Sequence, residues 1–228
     1  MPIEEVIVDS RTKEELGEAG LSDLRRRFGV GDCLACGRPL SRRRVAVVVD
    51  EFYSMTHATA YHPECQRPKW IDQGLTIVPK DRGISYHSLF FLGPDFRGLT
   101  PKPLPWLLVH PSLEVLQLKP HHGGGWESND LALYFGIGLT AEPDPQVLQI
   151  SIPGTRATIR RNSLVVSIAA QRWHCRGGDD EIQAVQAEGG VLIAVTTAID
   201  PHDPMPFSEV LEAVQMADCA LGWVPLNR

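Results

Sequence analysis

The chain of 228 residues contains no apolar run approaching the roughly 18 residues that a membrane helix needs, which excludes a helical membrane protein. Its opening residues, from Met1 to Glu15, are acidic and polar. They have neither the basic start nor the apolar stretch of a secretory leader, so a cytoplasmic protein with no membrane partner is expected. Cysteine is sparse and odd in number: five residues, an arrangement that disfavours a disulfide framework. The nucleophile elbow G-x-S-x-G is missing altogether, and there is no internal repeat or low-complexity tract. Basic charge is also short overall, with a net charge of −6, which argues against a protein that coats nucleic acid.

What is present is local. Arg25, Arg26, Arg27, Arg38, Arg42, Arg43 and Arg44 fall between positions 24 and 44, where Asp32 is the only acid. Arginine suits phosphate and carboxylate contacts, so Arg25–Arg27 and Arg42–Arg44 are candidate partner-binding residues, for protein or nucleic acid. Ordinary solvated charge is the alternative.

Three of the five cysteines lie within a 33-residue window that also supplies a histidine: Cys33-x2-Cys36-x25-His62-x2-Cys65. Two thiolates two residues apart grip one face of a tetrahedral ion from a tight knuckle, and Gly37 permits the turn that follows. His62 and Cys65 are spaced for one helical turn, with Pro63 at a position where a missing N–H costs nothing. Val45–Asp50 and Met55–Tyr61 read as the two arms of a hairpin between the pairs. Four protein ligands leave no open position for water, so the expected cofactor is a structural Zn2+. His57 is the nearby substitute ligand.

The strings CLACGRPL and AYHPEC resemble the first zinc half of a LIM domain, within the treble-clef group, over residues 31–70. The resemblance implies a treble-clef finger and a role in protein contacts. Gln66-Arg67-Pro68-Lys69-Trp70 supplies no second ligand quartet, so only one ion is implied.

The rest of the chain suggests other chemistry more faintly. His121-His122-Gly123-Gly124-Gly125-Trp126 is similar to the oxyanion loop of some α/β-hydrolases, but without a nucleophile elbow it reads as a glycine turn. Arg176-Gly177-Gly178-Asp179-Asp180-Glu181 resembles the signature turn of diguanylate cyclases, where paired acids hold magnesium; an acidic hairpin turn accounts for it otherwise. An enzyme would draw on His87, His110, His174, Cys175, His202 and Asp179–Glu181.

The expected fold class is α+β. A helical segment (1–30) leads into a treble-clef finger (31–73), followed by a domain (74–228) built on a mainly antiparallel sheet. Expected strands there include Leu131–Ile137, Val147–Ile152 and Ile182–Ala187, and the chain closes with an amphipathic helix from Ser208 to Leu221. The functional expectation is a zinc-dependent binding or regulatory module; the alternative is an enzyme with its site in the β-rich part.

Overall fold

The computed structural model describes residues 3–28, 31–40, 44–52, 55–72, 85–95, 103–121, 125–141, 145–168, 171–199, 201, 208, 212 and 218–227. In chain order the elements are β1 (Glu5–Ile7), α1 (Ser10–Arg27), β2 (Arg44–Phe52), β3 (Met55–Tyr61), β4 (Lys69–Asp72), β5 (His87–Gly93), β6 (Leu104–His110), β7 (Val115–Pro120) and β8 (Trp126–Ser128). They continue with α2 (Ala132–Gly136), β9 (Arg156–Arg160), β10 (Ser163–Ile168), β11 (Gln171–Arg176), α3 (Asp179–Glu188), β12 (Gly190–Thr196) and β13 (Cys219–Pro225). These form two compact units interleaved along the chain: Met1–Ser85 with Ser112–Asp130, and Tyr86–Pro111 with Leu131–Arg228.

The first unit is a six-stranded sheet in the order β1-β2-β3-β7-β8, with β4 beside β2. The valine run of β2 explains its central place. A strand with neighbours on both edges and cover on both faces reads as continuously apolar, and Val45 to Val49 are each at most 2% exposed. β3 pairs antiparallel to β2 from Ala46↔Tyr61 to Phe52↔Met55. On the other edge β1 and β4 follow each other, both parallel to β2, at Arg44–Ala46 and Val48–Glu51. α1 lays Leu16, Leu21, Leu24 and Phe28 into a core with Val45, Val47, Val49, Ala58, Ala60, Leu116 and Leu118. Asp9 caps this helix by accepting the Thr12 N–H at 2.7 Å, and Gly17, at φ 60° and ψ −175°, breaks it into two pieces.

The second unit contains a four-stranded sheet, β13-β12-β6-β5, and a three-stranded antiparallel sheet, β11-β10-β9. β12 runs parallel to β6 and antiparallel to β13. Alternation along the strands separates two cores. Phe90, Leu107, Val109, Ile193 and Val195 pack with Trp173, Ile182 and Val185, while Trp106, Leu108, Leu192, Ala194 and Leu221 belong to the opposite face.

The fold is therefore largely β, not α+β, and no finger stands ahead of a separate sheet. A strand and an 18-residue helix come first. The hairpin between the two ligand pairs is the middle of the six-stranded sheet, because β3 also pairs with β7, more than fifty residues further on. Three expected strands are not strands. Leu131–Ile137 forms α2, Val147–Gln149 is a 3-10 turn, and Ile182–Ala187 lies in α3. Ile182 and Val185 are three apart and bury one helical stripe, with Gly178 capping the start and Gly189, left-handed at φ 72°, closing the end. The acidic run Asp179–Glu181 is accordingly the first turn of a helix, where carboxylates offset the macrodipole, and not a hairpin turn. The closing amphipathic helix does not extend to Leu221: Cys219–Pro225 is the buried strand β13. Apart from Ser208 and Glu212, which are helical, residues 202–217 lie outside the described residues, as does the expected boundary at 73/74.

Candidate metal centre

Residues 31–40 form a small knuckle after α1. The Cys33 N–H donates to the Arg38 carbonyl at 2.9 Å, Gly37 N–H to the Cys33 carbonyl at 2.7 Å, and Leu40 N–H to the Gly31 carbonyl at 2.9 Å. Gly37 takes φ 65°, the left-handed conformation that lets the chain double back after Cys36. The knuckle is joined to the end of β3 through Leu34 N–H donating to the Ala60 carbonyl at 3.2 Å. His62 follows β3 directly. Cys65 and Gln66 both donate their N–H to the His62 carbonyl, at 2.9 and 3.2 Å, so the second pair sits on a single turn leading into β4. The helix expected to begin here is not formed. Lys69–Asp72 is needed as an edge strand on β2, and that pairing takes the backbone away from helical hydrogen bonding.

This brings Cys33, Cys36, His62 and Cys65 together, with one ligand atom from each lying within 4.8 Å of every other, a group able to hold a metal ion. Around tetrahedral zinc, ligand atoms are roughly 3.5–3.8 Å apart. The Cys36 Sγ to His62 Nδ1 separation is 3.4 Å. His62 is oriented for ligation. Its Nε2 is 3.1 Å from the Pro39 carbonyl, which can only accept, so the proton belongs on Nε2 and the Nδ1 lone pair faces the thiols. The His62 N–H also donates to Cys33 Sγ at 3.4 Å.

Charge is unevenly prepared among the thiols. Hydrogen bonding from the Arg38 side chain, then from its backbone, lowers the Cys36 thiol to about 6. Burial and the neighbouring Cys33 and Cys36 sulfurs push Cys65 up to about 11. A divalent cation at the centre of the group removes this conflict, because it stabilises all three thiolates at once. Arg38 and the Pro39 carbonyl had no separate signal in the sequence. Their role follows from the closure of the knuckle.

The arginines of the basic cluster are differently placed. Arg27 is buried and paired with Asp23 at 2.9 Å and Asp130 at 4.0 Å. Arg26 also pairs with Asp23, at 2.8 Å, and Arg44 with Glu5 at 2.8 Å. Arg25 is half-buried, and Arg42 and Arg43 lie outside the described residues.

The residues named for an enzyme do not converge among the described residues. His87 and His110 are cross-strand partners, on the sheet face shared with Leu108. Cys175 lies on the opposite face with Phe90 and Val109, its Sγ 3.8 Å from the Ser88 carbonyl, and burial raises its pKa. His174 is held through its backbone, with its N–H donating to Tyr86 Oη at 2.7 Å. Cys219 is fully buried, as expected of a small core residue, but on a strand. His57 is in β3 opposite Asp50 and outside the ligand group, and His202 lies outside the described residues. His121 N–H donates to the Gly125 carbonyl at 2.9 Å, where the chain turns between β7 and β8.

No helix among the described residues is long and apolar enough to cross a membrane. No family model matches the chain, and no curated protein or solved structure is significantly similar to it.

Proposed function

We propose that Cys33, Cys36, His62 and Cys65 hold one structural Zn2+, and that the protein is a zinc-stabilised binding module whose partner is another protein. The observation that carries the reading is the donor set itself. Three sulfurs and an imidazole nitrogen face one point, with Nε2 of that imidazole anchored on the Pro39 carbonyl. Soft thiolates with one imidazole in a closed quartet suit zinc, and they leave no position for a reacting water. The likeness of the ligand spacing in residues 31–70 to half a LIM domain supports the metal.

Protein is favoured over nucleic acid because the described arginines Arg26, Arg27 and Arg44 already pair with acids of this chain, whose net charge is −6. The binding reading is favoured over an enzyme because Cys175, on the three-stranded sheet, packs against the Phe90 and Val109 face of the β5–β6 pair, opposite the face that carries His87 and His110.

Elemental analysis of the purified protein is expected to give one zinc per chain. Cobalt substitution is expected to give the intense visible bands of a tetrahedral thiolate site, lost in Cys36→Ser. Zinc-free protein with residues 31–66 fully protected from hydrogen exchange would overturn the proposal. Salt-dependent binding to DNA or RNA, lost on Arg42–Arg44→Ala, would replace the protein partner with nucleic acid.

A further inference from the structure

Away from the metal ligands, the first unit carries a second constellation. Trp70 on β4 and Trp126 on β8 approach within 5.9 Å between ring centroids, inclined at 59°. The Arg11 guanidinium lies over the Trp70 ring, 5.1 Å from its centroid. Two carboxylates complete the surround: Asp72 Oδ2 at 2.6 Å from Arg11 Nη1, and Glu51 Oε2 at 3.8 Å from Nη2. The Trp70 indole N–H donates to the same Glu51 oxygen at 3.3 Å, which fixes the ring plane.

The walls and the occupant are held differently. Glu51, Trp70 and Asp72 are on adjacent paired strands, with Val49↔Trp70 and Glu51↔Asp72 in register, and Trp126 is pinned opposite Pro120. Arg11 is held by its side chain alone. That side chain is 44% exposed, and so are its partners, Glu51 at 40% and Asp72 at 60%. Ion pairs between exposed groups hold weakly, so a rotamer change of one long side chain uncovers the Trp70 face without moving the helix. The helix itself is anchored independently by Thr12, Leu16, Leu21 and Leu24, all buried.

Indole faces attract guanidinium and alkylated ammonium groups, and flanking carboxylates reject neutral apolar ligands of the same size. We infer that the face of Trp70, backed by Trp126 and flanked by Glu51 and Asp72, forms a receptor for the cationic side chain of a partner protein, an arginine or a methylated lysine, which Arg11 occupies from within the chain. The inference extends the protein-partner reading above, and Glu51 and Asp72 supply the local negative charge that a basic side chain would meet. It does not depend on the identity of the metal.

The test uses the full chain, zinc-loaded, titrated with tetramethylammonium chloride and, separately, methylguanidinium chloride, at ionic strength held constant with sodium chloride. Arg11→Ala is expected to bind both. If Arg11 fills the cleft nine-tenths of the time, wild type binds about tenfold more weakly. Arg11→Gln, which keeps a polar side chain on the helix, is expected to match Arg11→Ala and serves if the alanine variant is unstable. Trp70→Leu in either background is expected to abolish binding while the thermal transition persists, and Trp126→Ala to weaken it. Absence of binding by both Arg11 variants, or binding unaffected by Trp70→Leu, would overturn the inference. Loss of zinc with cation binding retained would sink the metal reading and leave this one standing.

Discussion

Removing the metal should loosen one part of the first unit before the rest. The ligands bridge two segments, the knuckle at 31–40 and the turn at 62–66, which meet at the end of β3. Without the ion, three thiols and an imidazole remain crowded, with Cys36 already favouring its charged form. Binding to the folded state alone stabilises by RT ln(1 + [Zn]/Kd), which is about 4 kcal/mol when free zinc is a thousandfold above Kd. Domain stabilities are about 5–15 kcal/mol, so chelation removes a large share but not necessarily all of the stability. Cys33 packs into the apolar core behind β2, but Leu16, Leu24, Val47, Val49, Leu116 and Leu118 of that core supply no ligand and are expected to stay packed. Hydrogen exchange should resolve this. On chelation the amides of Leu34, Gly37, Cys65 and Gln66 are expected to lose protection first. Those of β2 should follow at higher opening energy, and those of β12 and β13, which carry no ligand, should change least. Equal loss in β12 and β13, or no loss at Leu34 and Gln66, would refute the argument.

Two further perturbations probe the first unit. Asp50 is 1% exposed, and neither carboxylate oxygen has a hydrogen-bond partner among the described residues. Burial raises its pKa above the ordinary 3.8, so the folded chain keeps a proton that the unfolded chain releases, and stability falls as pH rises through that interval. Asp50→Asn is therefore expected to raise stability at pH 7 by about 1 kcal/mol or more, with the gain vanishing at low pH in thermal melts. A destabilised variant at pH 7 would contradict this. Arg27 sits between Asp23 and the largely buried Asp130, which also accepts the Gln117 N–H at 2.6 Å. Arg27→Ala is expected to cost about 1–3 kcal/mol, because it removes the buried cation facing Asp23 and Asp130 and leaves Asp130 only its bonds from Gln117 and Ser128. Arg27→Met with Asp130→Asn should recover much of the loss in denaturant titrations, and no recovery would show that the ion pair is not the cause.

The alternation of apolar residues made several strands legible. The runs Trp106–His110, Ser163–Ala169 and Val191–Ala198 are strand-like in their valine, leucine and isoleucine content, and β6, β10 and β12 fall on them. The same signal misled at Ile182–Ala187. There a short apolar run flanked by glycines satisfies a strand pattern as well as a helical stripe, and only packing against β6 and β12 decides between them. At Cys219–Pro225, the end strand of its sheet, pairing with β12 and isolated bridges from Thr140 and Ser151 go with continuous burial and an apolar run without period, which extended a helical pattern too far.

The sequence by itself determined the candidate metal ligands. Their chemistry is carried by residue type and by spacings of two intervening residues, which the backbone can realise in few ways. Tertiary structure decided what those ligands are attached to. The hairpin between them became the centre of a six-stranded sheet through pairing with β7, a contact between segments far apart in sequence that local pattern does not encode. It also decided the fate of the arginines, because Arg27 meets Asp130 only once β8 and α1 are in place. The same folding set Arg11 over Trp70 and Trp126 against Trp70, from three distant stretches of chain.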